Sequence, residues 1–264
     1  MSTEFFLGTH MVGWMTQTNV PLFISRRRLM RRKSPWPKST CEWALDSGGF
    51  TELRMFGKWS ISEEEYVDEV RKYASDIGGM RWAAQMDWMV EPLVRNGGAG
   101  KDPAVGTGLS IEQHQVKTVA NYVRLCELAP EIQWAPVLQG WEPVDYFNHL
   151  EMFRGFGVRL TSLPIVGVGS VCRRQGTDEI QCLLRDLHAE GLKLHGFGVK
   201  KAGLEKSSEY LESADSMAWS YCARRAPDQV GHEECRETHA NCANCIYYAL
   251  LWRHHLVGGL ECAS

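Results

Sequence analysis

No run of about 18 consecutive apolar residues occurs in this chain, so no helix able to cross a bilayer is expected and no membrane partner is implied. Residues Met1 to His10 lack the charged leader and long apolar stretch of a secretory signal, so a soluble, intracellular, cytoplasmic protein is expected. Surplus charge is scarce as well: a net charge of -3 excludes a molecule coated in basic surface, and any nucleic-acid contact has to come from local patches. No internal repeat or linker divides the chain. The glycine-rich Asn96-Gly97-Gly98-Ala99-Gly100-Lys101 lacks P-loop spacing and reads as a plain loop in preference to a lid or phosphate cradle.

What is present is an alternation of short apolar runs with helical patterns. The 264 residues, 44% hydrophobic and 23% charged, suffice for one full core. Runs at Phe5 to Thr9, Pro21 to Ile24, Trp43 to Leu45, Arg81 to Met86, Trp134 to Leu138, Pro164 to Val168, Leu194 to Val199 and Ser213 to Ala218 predict the strands of an α/β fold, a (β/α)₈ TIM barrel. Ser60 with Glu63 and Ser110 with Gln113 fit capping boxes, placing helix starts near Ile61 and Ile111. In the second of these helices Val116, Val119, Ala120 and Val123 share a face expected to pack on the barrel; Ile180, Leu183, Leu184 and Leu187 do the same before Gly191 ends their helix. Residues 1–221 are assigned to the barrel and 222–264 to a C-terminal zinc-binding lobe packed on it.

Strand ends carry the chemistry of such barrels. Trp43-Ala44-Leu45-Asp46-Ser47-Gly48-Gly49-Phe50 reads as a buried strand that delivers a carboxylate into a glycine turn, and Asp87, Gln139-Gly140, Gly169 and Asp215 end four further runs. Taken singly, Asp46 also fits a turn former, and Asp87 or Asp215 a helix cap. Taken together they converge on one mouth. Carboxylates crowded in a partly dry pocket push each other's pKa apart, leaving one protonated as an acid and another ionised as a nucleophile, a division that suits glycosidic chemistry.

Near the C-terminus the chain reads His232-x-x-Cys235-x-x-x-His239-x-x-Cys242-x-x-Cys245. Thiolates and imidazole at this spacing match a closed four-coordinate structural zinc site. Cys235, His239, Cys242 and Cys245 are the expected ligands, with His232 the alternate for Cys235 and His254 or His255 also able to serve. Of the remaining cysteines, Cys41 precedes a strand and is assigned to packing.

Asp46-Ser47-Gly48-Gly49-Phe50, the Asp87 strand end, Val137-Leu138-Gln139-Gly140, Val166-Gly167-Val168-Gly169, Ala214-Asp215-Ser216-Met217 and the Cys/His cluster stand in the order found in tRNA-guanine transglycosylases. The chain resembles most the short deazapurine DNA transglycosylases of phages and mobile elements, since it is compact and shows no added RNA-binding domain. The resemblance implies exchange of guanine in DNA for a 7-deazaguanine, the 7-cyano form or a relative, with restriction evasion as the benefit in a virus and the host cytoplasm as the location. It implies Asp215 as nucleophile on C1′ through a covalent intermediate, Asp46 as general acid and then base, Asp87 and Gln139 as readers of the base edge, and the Gly48-Gly49, Gly140 and Gly169 turns as part of the base site. Arg26, Arg27 and Arg28, with Arg224 and Arg225, are then candidates for backbone contacts, and Phe50 and Met11 for a sandwich around a flipped base. Three alternatives stay open: the same exchange on tRNA, a non-catalytic nucleic-acid-binding subunit, and a glycosidase in which water finishes the reaction. A homodimer is compatible with all of them.

Overall fold

The computed structural model describes residues 3–100, 102–172, 174, 176–225, 235 and 240–261. Its strands are β1 (Glu4–Thr9), β2 (Leu22–Ser25), β3 (Trp43–Asp46), β4 (Met80–Ala84), β5 (Trp134–Ala135), β6 (Val137–Leu138), β7 (Val166–Val168), β8 (Leu194–Gly196) and β9 (Ser213–Ser216). All recorded pairings are parallel, in the order β5-β4-β3-β2-β1-β9-β8-β7-β6. Since β5 and β6 are consecutive in the chain, that order runs around a nearly closed barrel with eight strand positions. The fifth position is split because Pro136 has no N–H for a ladder bond; its carbonyl still accepts from Gly167 N at 2.8 Å. The eight-strand expectation therefore holds with one strand broken in two.

Side chains alternate across each strand. Phe6, Phe23, Ala44, Trp82, Ala84 and Ala135 point inward and form a small buried cluster inside the barrel. Their neighbours Leu7, Leu22, Ile24, Trp43, Leu45, Val166 and Leu194 point outward into the main core. Helices cover that outer face: α1 (Arg26–Leu29), α2 (Gly49–Phe56), α3 (Glu63–Ile77), α4 (Pro92–Asn96), α5 (Ile111–Leu128), α6 (Pro143–Gly155), α7 (Asp178–Ala189), α8 (Lys201–Ser207), α9 (Ala218–Arg225) and α10 (Ile246–Glu261). Ile180, Leu183, Leu184 and Leu187 of α7 are all buried, each worth about 1.5–3 kcal/mol when taken from water. The link from β1 to β2 carries only a short 3₁₀ turn, Val12–Thr16, in place of a helix. On α10, Arg253 donates to the Phe5 carbonyl at 2.9 and 3.1 Å and ties the C-terminal helix to β1. Helix α9 crosses the boundary expected at residue 221.

Two helix expectations need correction. The box at Ser110 and Gln113 forms as predicted, but α3 starts two residues later than expected, capped by Ser62 with Glu65, because the Ser60 hydroxyl is taken by Glu52 Oε2 at 2.5 Å. On α5, Val116 is exposed and the inward face is largely polar: His114, Gln115, Thr118 and Asn121 are buried beside Val119, Tyr122 and Leu125. These polar groups bond to the loops at the barrel mouth, as described below. The Asn96 to Gly100 stretch begins at the last residue of α4 and is pinned by the pair Gly98–Ala104; Lys101 lies outside the described residues.

Candidate active site

Strand alternation puts the carboxylates into the mouth. Ala44 faces the inner cluster, so Asp46, two residues on at the end of β3, faces the same way one layer higher. Asp215 stands in the same relation to Ser213 on β9. Asp87 follows β4 by a tight turn, its N–H donating to the Gln85 carbonyl at 3.0 Å. Together they line a cavity of about 550 Å³ with Ser25, Phe50, Met89, Glu91, Gly169, Ser170, Phe197 and Met217, within the usual size for a small-molecule site. Ser25, Met89, Glu91, Ser170 and Phe197 were not foreseen from sequence, Met217 stood in a quoted motif without a role, and Met11 is absent from the lining.

The acids sit in different electrostatic settings. Burial pushes the Asp46 carboxyl above its ordinary range and the charge of Asp215 pushes it further, against hydrogen bonds from the Ser25 hydroxyl and the Gly48 N–H. For Asp87 burial again dominates; Gln139 and Ser47 bond to the carboxylate and oppose it, Asp46 adds to it, and the result is a pKa raised to about 7. Asp215 is held by geometry: Gly198 N donates to Oδ1 at 2.9 Å, and His195 Nε2 lies 3.4 Å from the same oxygen. A mouth with a proton-holding acid beside a second carboxylate fits the acid and nucleophile of a substitution at a sugar carbon.

Gln139 sits behind Asp87. Its Nε2 donates to Asp87 Oδ2 at 2.5 Å, and its Oε1 accepts from the Ser170 hydroxyl at 2.7 Å, which in turn accepts from Val90 N. With both ends of the amide engaged and no exposure, Gln139 orients Asp87 and does not line the cavity. The chain around it is equally tied: Gln139 N donates to His149 Nδ1, and Gln115 Nε2 donates to the Gln139 carbonyl at 2.7 Å. Thr118 accepts from Trp88 N, and Asn121 donates to the Met86 carbonyl. Gly169 lies so close that a Cβ there would fall 2.1 Å from Gln139 Nε2. Its N–H already bonds to Leu138 and its carbonyl to Tyr146, so Gly169 serves as a close-packed spacer in the cavity wall. Ser170 is the one non-glycine residue with positive φ, 58°, among the described residues, the kind of strain that clusters at functional sites. Gly140 packs on the Tyr146 ring, outside the cavity lining. Gly48, left-handed at φ 78°, aims its N–H at Asp46 and lies beneath the Arg27 stem. Gly49 backs Asp87, with Oδ1 3.3 Å from where its Cβ would stand.

The model of the DeoxyPurine in DNA protein A family matches residues 1–263. The chain belongs to that family. The family's description ties the chain to deoxypurines in DNA. Among solved structures, a candidate isomerase from Sinorhizobium meliloti in an open-loop conformation matches 81% of the chain at 10% identity and a TM-score of 0.38, and the chain spans 50% of that protein's length. Comparison with curated protein sequences gives no match.

For a DNA-modifying family the basic segment after β2 matters, and the structure divides it. Arg26 is a correction: only 1% exposed, it pairs with Glu69 at 2.6 and 3.0 Å and with Glu52 at 3.3 Å, so it anchors α1 and cannot reach a phosphate. Arg27 bonds to Glu52 at 2.6 Å and still borders the cavity, as do the exposed Arg28 and Arg31. Arg224 folds back on Ser220 and Arg225 stacks on Tyr221 at 4.4 Å; neither lines the cavity.

The family member also carries a metal-competent cluster. Cys235, Cys242 and Cys245 are buried with their sulfurs within 4.8 Å of one another, and Cys235 Sγ lies 3.5 Å from Cys245 Sγ. Sulfurs bound at 2.3 Å around a tetrahedral zinc ion stand roughly 3.8 Å apart, so the three fit one ion. Burial, reinforced by the neighbouring thiols, pushes Cys242 up to about 12; a cation at their centre would collect them as thiolates. The expected ligand His239 and its alternate His232 lie outside the described residues. His254 and His255 are exposed on α10 and do not join the cluster. His10 Nε2 contacts Asn244 Oδ1 at 2.6 Å, and His10 lines the cavity, so the cysteine lobe touches the wall of the site. No helix among the described residues is long and apolar enough to cross a membrane.

Proposed function

We propose that the chain exchanges guanine in DNA for a 7-deazaguanine, the 7-cyano form or a relative, through a covalent intermediate on Asp215. The convergence of Asp46, Asp87 and Asp215 on one cavity, in a chain of this family, carries the reading. One Asp215 oxygen attacks C1′; since Oδ1 is held by Gly198, we assign the attack to Oδ2. Asp46, raised by burial and by Asp215, gives its proton to the departing guanine and takes the N9 proton of the incoming base. Two inversions at C1′ retain its configuration. Asp87, clamped by Gln139, accepts from the N1–H and exocyclic amine of the base, and an analogue without those donors leaves a buried carboxylate unpaired. Phe50 and Met217 supply apolar surface for a flipped base. Arg27, Arg28 and Arg31 at the rim meet the DNA backbone. A zinc ion on Cys235, Cys242 and Cys245 would close the C-terminal lobe and take no part in the exchange.

The test is incorporation of radiolabelled 7-cyano-7-deazaguanine into duplex DNA, single-stranded DNA and tRNA by the purified protein. Label in DNA and not in tRNA is expected, with Asp215→Asn abolishing both label and any denaturant-stable protein–DNA adduct. Label in tRNA alone moves the chain to the tRNA branch. An Asp215→Asn variant that still traps DNA removes Asp215 as nucleophile.

A further inference from the structure

A buried titratable group inside the barrel is left unused by the exchange steps. His195 on β8 is fully buried, enclosed by the rings of Trp82 and Phe197, each at 4.8 Å, Phe23 at 5.6 Å and Phe6 at 6.1 Å. An imidazole in such a cage costs free energy unless both ring nitrogens find partners. Nδ1 lies 2.8 Å from the Ser213 hydroxyl. Nε2 has no hydrogen-bond partner and lies 3.4 Å from Oδ1 of Asp215. Strand parity explains the grouping: Ser213 and Asp215 are successive inward residues of β9, and His195 pairs with Ser213 across β8 and β9.

We infer that His195 is a positioning residue for the nucleophile, donating from Nε2 to Asp215 Oδ1 while Nδ1 accepts from Ser213, and that this contact makes Asp215 a good leaving group. The inference rests on Asp215 being the nucleophile of the exchange. When the adduct is resolved, N9 of the incoming base bonds to C1′, the bond from C1′ to the Asp215 oxygen breaks, its electron pair returns to the carboxylate, and the N9 proton passes to Asp46. Negative charge reappears on Asp215 at that moment, and a buried donor fixed on Oδ1 stabilises it where water cannot. The same donor weakens attack slightly. Its loss therefore slows resolution and favours the adduct.

The experiment mixes wild-type protein, His195→Met and His195→Gln with a guanine-containing DNA oligonucleotide. It measures adduct formation on denaturing gels, and adduct resolution on adding free 7-cyano-7-deazaguanine. Met fits the apolar cage without a donor; Gln returns an N–H near the position of Nε2. The expected result for His195→Met is formation within about threefold of wild type and resolution slower by about tenfold or more, the usual scale of a hydrogen bond to a charged group, with recovery in His195→Gln. Equal rates in His195→Met and wild type, or parallel loss of both steps with a lowered melting temperature, would overturn the inference. Absence of adduct from the wild-type protein would overturn the exchange reading instead. In that case ¹⁵N-imidazole NMR still decides the contact: the Nε2–H resonance of His195 is expected to move on Asp215→Asn, and an unmoved resonance rules the hydrogen bond out.

Discussion

Replacing Asp87 by Asn separates stability from function in opposite directions. Asp87 is 4% exposed and its pKa rises from 3.8 to about 7, so the folded protein holds a proton that the unfolded chain releases near pH 4. Stability from this group is complete below pH 4, falls as pH rises toward 7, and is gone above it. The difference of about three units corresponds to roughly 4 kcal/mol of strain at pH 8, an upper figure for a carboxylate that keeps its Gln139 and Ser47 hydrogen bonds. Asn is isosteric, accepts the same Gln139 N–H and carries no charge, so it removes the strain. Urea unfolding at pH 8 should show Asp87→Asn more stable by about 2–4 kcal/mol, or some 4–8 °C in melting temperature at about 2 °C per kcal/mol, with the gap closing at pH 4. Binding should move the other way. On the proposed role of Asp87 the base donors meet its carboxylate, so wild-type affinity for a 7-deazaguanine should rise from pH 6 to 8 with proton release on binding. Asp87→Asn should bind weakly at every pH. Calorimetry in two buffers of different ionisation enthalpy measures the released proton directly. A destabilised Asp87→Asn at pH 8, or an affinity that falls with pH, would refute the assignment of Asp87 as a strained acceptor.

The neighbouring residues give further expectations. Gln139→Leu removes a bond that holds the Asp87 pKa down, so the midpoint of the pH-dependent binding should shift above that of wild type, read by the same titration. Arg26→Met removes the buried guanidinium that bridges Glu52 and Glu69 and leaves Glu52 to Arg27 and Ser60 alone, costing about 3 kcal/mol in chemical denaturation. Arg28→Gln should leave stability unchanged and lower the slope of log K against log salt for DNA by about one. Equal behaviour of these two variants would cancel the division of the basic segment into anchor and rim. Cys242→Ser should lose bound zinc by native mass spectrometry and melt earlier, since metal binding and folding are coupled.

How much of this was legible in sequence follows from which signals are periodic. Strand parity is a period of two, so Ala44 and Asp46, or Ser213 and Asp215, could be assigned to one face before any coordinates, and the carboxylates at the mouth follow from it. The Ser110 box was equally plain, because cap and partner stand three residues apart. The α3 start was not, since Ser60 and Ser62 are both followed by a Glu at the right distance and only the bond from Ser60 back to Glu52 on the preceding helix decides between them. Arg26 failed for the same reason: its sequence neighbours Arg27 and Arg28 share its charge, and nothing local says that Glu52 and Glu69 lie beneath it.

The polar face of α5 shows where periodicity misleads. Val116, Val119, Ala120 and Val123 form an apolar stripe on paper, yet Val116 is 42% exposed while Gln115 and Thr118 are 3% and 0% exposed. The stripe loses because the loops after β4 and β6 turn backbone groups toward the helix, and a buried N–H or carbonyl without a partner costs more than an exposed valine. Thr118 takes the Trp88 N–H, Asn121 gives to the Met86 carbonyl, and Gln115 gives to the Gln139 carbonyl, so three side chains of one helix hold the two loops that present Asp87 and its clamp. A helix whose polar residues face inward is thus evidence about the site it backs. Thr118→Val tests this: it keeps the shape, leaves the Trp88 N–H unpaired, and should cost about 1–3 kcal/mol in urea denaturation and weaken base binding through the Asp87 loop. A Thr118→Val protein with wild-type stability and binding would return α5 to the role of ordinary packing.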